Sequence, residues 1–280
     1  MPLTGGSASS TGVVRALLVR GMLAGLAAGL AAFLFAYLFG EPGVNAGIAF
    51  EEQGMHGHGG EELVSRGVQS TVGLLVGVLV YAVAIGGILA LVHAATRGRI
   101  GPARPRPATL VLAAVGFVVV VLVPFLKYPG NPPGSSDDGS IGQRTGLYLV
   151  MLLFSVLVAV LATALGRALA ARLGTWNATL VAGAGALVVL GVVMALLPPL
   201  GELSANVAES GSRLTETPQP LTDPSGKIVF PGFDPDLLYW FRVYSVGAQL
   251  LLWGVLAVGF APLADRVLRT TSQRDLASAP

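Results

Sequence analysis

Six apolar stretches, each about as long as a lipid bilayer is thick, leave this chain few folds to choose from. A helix crossing the hydrocarbon core needs about 20 residues at a rise of about 1.5 Å each. Residues 21–39, 68–95, 108–126, 145–166, 177–197 and 243–264 supply such runs, and none contains Lys, Arg, Asp or Glu. His93 is the one histidine within them. Unbroken apolar runs, rather than alternation, select helices over barrel strands. The sequence therefore predicts an all-α polytopic membrane protein with about six transmembrane helices.

Composition agrees. Only 11% of residues are charged, against about 25% in soluble domains. The absence of cysteine excludes disulfides, thiolate metal sites and cysteine nucleophiles. A net charge of +2 without basic clusters among aromatics gives nucleic acid no footing. No phosphate-binding glycine loop, dinucleotide fingerprint or His-Glu-x-x-His motif is present. An ATP-driven step would need another chain.

Arginine placement sets orientation, because Lys and Arg in short loops stay in the cytoplasm. Arg15 and Arg20 precede the first run; Arg97, Arg99, Arg104 and Arg106 separate the second and third. Arg167 and Arg172 follow the fourth, and Arg266, Arg269 and Arg274 follow the sixth. Eleven of the 17 basic residues thus share one side, which predicts cytoplasmic N- and C-termini. The first run exceeds the 7–15 residues of a signal-peptide core, which favours a retained helix over a cleaved leader. Of the 15 acidic residues only Asp265 and Asp275 fall inside, so 13 face outward. Such a surface concentrates cations within about 8 Å at physiological salt; it also serves plain solubility. The expected division is a disordered tail at 1–13, a membrane domain at 14–264 with a surface loop at 198–242, and a cytoplasmic tail at 265–280.

Gly21, Gly25 and Gly29 recur every fourth residue and put a close-packing face on the first helix; Gly73 and Gly77 repeat the spacing on the second. Arg66, Arg144 and Arg242 each stand just before an even-numbered helix. With prolines ending the odd helices, this suggests three similar hairpins, as internal repeats do in many transporters.

The first outer loop, Phe50 to Glu62, holds Glu51, Glu52, His56, His58, Glu61 and Glu62. Two imidazoles and four carboxylates suit a borderline divalent ion such as cobalt, nickel or zinc, and the glycines favour exchangeable capture. At the outer boundary the polar candidates are Glu41, Arg66, Gln69, Lys127, Asn131, Arg144 and Arg242. The arginines would pair with Glu41, Glu62, Glu202 or Asp236, or with lipid phosphates. Lys127 beside Tyr128 reads as a snorkelling cation, or as part of an entrance where the prolines of residues 124–133 free backbone carbonyls near Asn131. Gln69, Tyr148 and Gln249 are expected to hydrogen-bond between helices, and His93 to serve at the cytoplasmic interface.

Several of these motifs occur together in a recognisable series. Leu17-Leu18-Val19-Arg20-Gly21, Phe39-Gly40-Glu41-Pro42, Glu61 through Gln69, Pro124 through Pro133, Ile141-Gly142-Gln143-Arg144-Thr145 and Leu238-Tyr239-Trp240-Phe241-Arg242 resemble the CbtA family of probable cobalt transporter subunits. The resemblance covers residues 14–263 and implies cobalt uptake for corrinoid (cobalamin) synthesis at the cell membrane. It also implies a small one-helix partner, CbtB, with a histidine motif. Cobalt would be cargo; no resident cofactor is implied. Glu41, Arg66, Lys127, Asn131 and Arg144 match the recurrent pattern, His56 and His58 lie outside it, and residues 205–232 look like an added surface loop. Two other functions stay open at this stage: a membrane enzyme acting on a lipid-linked substrate, and a non-transporting scaffold for a small partner.

Overall fold

A computed structural model describes residues 5–54, 64–97, 104–213 and 215–277. Helix α1 (Gly5–Phe35) runs through a π turn (Ala36–Gly40) into α2 (Glu41–Gly54). In the same way α3 (Arg66–Val68) passes through Gln69–Gly73 into α4 (Leu74–Thr96), and α5 (Pro105–Phe117) through Val118–Leu122 into α6 (Val123–Lys127). Then come α7 (Ile141–Leu196), α8 (Ser204–Ser210), a two-stranded hairpin of β1 (Leu221–Thr222) and β2 (Ile228–Phe230), and α9 (Pro235–Ala277). Five of the continuous rods are long and apolar enough to cross a membrane. The protein is an all-α polytopic membrane protein.

The fourth rod is really two helices. Gly174 sits at φ 73° and ψ 160° inside α7, a backbone region open essentially to glycine alone. On its two sides Gly166 lies against Ala182, and Met151 shares a buried cluster with Leu190, Val193 and Met194. Residues 151 and 193 would stand about 60 Å apart on one straight helix. The chain therefore doubles back at Gly174, and its five rods contain six apolar segments.

Other boundaries differ from the sequence reading. Residues 5–13 are helical, not a disordered tail, and α9 continues to Ala277 past the expected end of the span. Extending an existing helix adds a hydrogen bond per residue without a new nucleus; Arg269 reaching Asp265 one turn away supports the α9 extension. Residues 50–54 are helical rather than loop, and the 198–242 loop holds α8, the hairpin and the start of α9.

The chain divides into two compact units. The first comprises Met1–Glu41, Gly59–Phe117 and Tyr244–Pro280. Here α1 and α4 run antiparallel at backbone contact: Gly21 meets the carbonyl of Gly86, Gly25 that of Ala82, and Gly29 the side chains of Ala82 and Leu79. Any Cβ at these glycines would collide, so the four-residue spacing does the packing expected of it. Gly77 does not: open space faces it, and Gly86 takes that part on α4. Spacing identifies a helix face but not which face meets a neighbour. Gly116 admits the ring of Trp253. At the arginine-rich end, His93 is buried with Thr109 Oγ1 3.2 Å from its Nδ1, and Phe260 meets it edge-on. Asp265, also buried, bridges Arg106 and Arg269 at 2.9 Å each.

The second unit comprises Pro42–His58 and Val118–Val243. Val123, Tyr128 and Met151 form its buried apolar centre. Pro124 cannot donate a backbone hydrogen bond, and the preceding turn takes π geometry. Ser155 on α7 answers that disruption by donating to the Val119 carbonyl at 2.7 Å. This satisfies, from a neighbouring helix, a backbone group that lipid could not. Gly47 of α2 lies against Pro132 and Pro133. Phe50, further along α2, packs its ring on Phe233 and Phe230.

Candidate functional site

The polar end of the second unit is built around one carboxylate. Glu216, on the segment after α8, has a side chain only 2% exposed. Four elements bring polar groups to it. Asn131, in the proline-rich connection after α6, donates to Glu216 Oε1 at 2.5 Å. Arg144, in the first turn of α7, approaches the same oxygen at 3.3 Å and donates to Ser136 Oγ at 2.6 Å. Asn206 on α8 reaches Glu216 Oε2 at 3.5 Å and donates to the Leu200 carbonyl at 2.7 Å. Arg242, near the start of α9, donates from Nε and Nη2 to Asn131 Oδ1 at 3.1 and 2.6 Å.

Each placement has a local cause. Pro129, Pro132 and Pro133 fix a rigid path that cannot continue α6, and Tyr128 OH anchors that path to the Pro198 carbonyl at 2.9 Å. Gly134, at φ 71°, turns the chain back toward α7. Lys127 stands 5.6 Å from the Tyr128 ring centroid, a cation–π contact. A cleft of about 380 Å³ opens beside the cluster, lined by Tyr128, Gly130, Arg144, Thr145 and Tyr148 among others.

Burial pushes the Glu216 carboxyl above the ordinary glutamate value; Arg144, the two asparagine amides and Arg242 pull the other way without fully offsetting it. One carboxylate faces two guanidiniums, so the cluster is net positive. A free cation would have to displace a guanidinium to reach Glu216.

The structure brings together Asn131, Arg144 and Arg242 from the sequence-derived candidates. Glu41 and Arg66 form an ion pair of their own in the first unit. Arg144 does not pair with Glu202 or Asp236, both of which are exposed. The three boundary arginines meet different partners: Arg66 a carboxylate, Arg242 an amide, and Arg144 a distant acid on a loop. Gln69 donates locally to the Val64 carbonyl at 2.7 Å rather than across to another helix. Gln249 does cross, accepting from Tyr81 OH at 3.4 Å. Glu51 is half-buried beside Gly134, and Glu52 is exposed. His56, His58, Glu61 and Glu62 lie outside the described residues, among which no group of three His, Asp or Glu residues could hold a metal.

Sequence reasoning missed Glu216, Asn206, Ser136 and Ser155. The available signal was indirect: two boundary arginines, Arg144 and Arg242, needed a buried partner, and Glu216 sits in a Thr- and Pro-rich run that looked like surface.

A family model, Probable cobalt transporter subunit (CbtA), matches residues 14–265. The chain belongs to this family. No curated protein and no solved structure matches it. The matched span runs from before the first apolar segment to the end of the last and passes across residues 205–232. Membership in CbtA makes the chain one of the probable cobalt transporter subunits. A subunit implies a partner chain in a transporter complex, with a metal ion as its substrate.

Proposed function

We propose that the chain is the multi-pass plasma-membrane subunit of a cobalt uptake system that feeds corrinoid synthesis. Its termini face the cytoplasm and its acidic loops face outward. A small one-helix subunit of the CbtB kind, carrying histidines, completes the system. The observation that carries this reading is the family match across all six apolar segments, residues 14–265. The charge distribution supports it, since 13 of the 15 acids fall on one side of the apolar segments and would raise cation concentration there. His56, His58 and the neighbouring glutamates offer exchangeable imidazole and carboxylate ligands for first capture.

The test is radiolabelled cobalt accumulation in cells with and without this gene, the one-helix partner supplied or withheld. Uptake should require this chain and fall when His56 and His58 are both changed to Ala. Unchanged cobalt content on deletion, with altered lipid or glycan products, would replace transport by an enzymatic role. Epitope tags near positions 55 and 215 should be reachable on intact cells; tags reachable only after permeabilisation would reverse the orientation.

A further inference from the structure

Residues 215–220 cross the polar cluster of the second unit, and their ties to Asn131 and Arg144 both end on one carboxylate, that of Glu216. Its other contacts are with Gly201, which lies tight against Thr215, and with residues within and just beyond its own stretch of chain. Thr215 and Thr217 share a hydroxyl–hydroxyl bond of 2.6 Å. Pro218 O accepts from Phe233 N at 3.0 Å, and Gly232 lies tight against residues 218–220. Glycines with left-handed φ lie before the stretch, Gly211 at 73°, and beyond the hairpin that follows it, Gly232 at 76°. Such positions absorb backbone rotation when a segment swings. The arrangement is thus a strap between two such glycines, held to Asn131, Arg144 and Asn206 through one carboxylate and to Phe233 through the Pro218 carbonyl.

We propose that Glu216 latches residues 215–220 as a lid over Asn131, Arg144 and Arg242, and that releasing its carboxylate uncovers this polar patch beside the cleft. A buried ion pair is a suitable fastening because its desolvation cost nearly cancels its attraction. Opening therefore lies within the range of local motions that leave the rest of a fold intact. The adjoining cleft of about 380 Å³, which Arg144 already lines, gives the released guanidinium somewhere to go. The lid stands on the geometry of the second unit alone and does not depend on which ion is carried.

The chain has no cysteine, so a single introduced thiol reports on one place. Thr217, a strap residue only 7% exposed, is changed to Cys in the full-length protein, purified in detergent, and its maleimide labelling rate is measured. Adding Glu216→Ala should speed labelling about tenfold. Glu216→Gln, which keeps an acceptor for Asn131 and Arg144, should stay near the unmodified rate. Arg144→Gln provides a second route, with an acceleration between the two. Ala182→Cys, buried where the arms of α7 meet, should remain slow in every background. The lid is overturned if Glu216→Ala and Arg144→Gln both leave the Thr217→Cys rate unchanged, or if Ala182→Cys accelerates with it. Labelling needs no transport, so failure of the cobalt reading and failure of the lid are separate results.

Discussion

Arg242 directs both its Nε and one Nη onto the single side-chain oxygen of Asn131, at 3.1 and 2.6 Å. The nitrogen of that same amide is spent on Glu216. Asn131 is therefore the relay between a guanidinium on α9 and a carboxylate on a distant loop. Replacing it by Leu, similar in volume but without polar atoms, strands both partners. The expected loss is on the order of 2–3 kcal/mol, read as a lower thermal midpoint in detergent. Asp at this position keeps Arg242 but sets a second carboxylate against Glu216, and should also destabilise.

The contact between α1 and α4 depends on missing side chains. Gly25→Val drives a side chain into the Ala82 backbone, and Gly86→Val does the same to Gly21. Overpacking costs about 1–3 kcal/mol, and more where only backbone could yield. Both variants should fail to give monodisperse protein by size-exclusion chromatography. Gly77→Ala meets open space and should be neutral within about 0.5 kcal/mol.

Ser155 donates to the Val119 carbonyl beside the π turn before Pro124. Ser155→Ala leaves that carbonyl without its partner in an apolar setting. Hydrogen bonds between membrane helices average about 0.6 kcal/mol and reach about 1.7, and this one belongs at the upper end because lipid supplies no substitute donor. The measurement is unfolding in mixed micelles, with Ser155→Thr, which retains the hydroxyl, as the restoring variant.

Asp223 closes the turn between β1 and β2 by accepting from Ser225 N, Ser225 Oγ and Lys227 N at 2.8, 2.5 and 3.0 Å. The Ser225 hydroxyl above all, and these amides with it, hold its carboxyl below the ordinary aspartate value. A depressed value means the charged form is favoured in the folded turn. Its contribution is present above the unfolded carboxyl value and fades as pH falls through the folded one. Amide exchange at Lys227 should accelerate in acid and become pH-insensitive, apart from intrinsic exchange chemistry, in Asp223→Asn.

Much of the fold was legible because lipid imposes so few options. Runs of about 20 apolar residues must be helices, and the 21–25–29 glycine series could only serve close approach. Less legible was anything set by loops. The sequence shows that Arg144 and Arg242 stand at a boundary, but their partners come from about 70 and 110 positions away, a distance over which no periodicity speaks. Glu216 was hidden because a buried acid on a Pro- and Thr-rich segment has the composition of a solvated one. Gly174, by contrast, shows nothing in the sequence but its place between two apolar runs; that it makes the whole reversal alone is a backbone fact, visible in φ and ψ.

That economy at Gly174 limits how the two arms of α7 can move. With a single residue at the corner there is no slack for one arm to slide lengthwise past the other, as a piston would. Any rearrangement of this pair has to be a scissoring about the corner, widest at the end where Met151, Val193 and Met194 share a cluster and almost nil beside the turn.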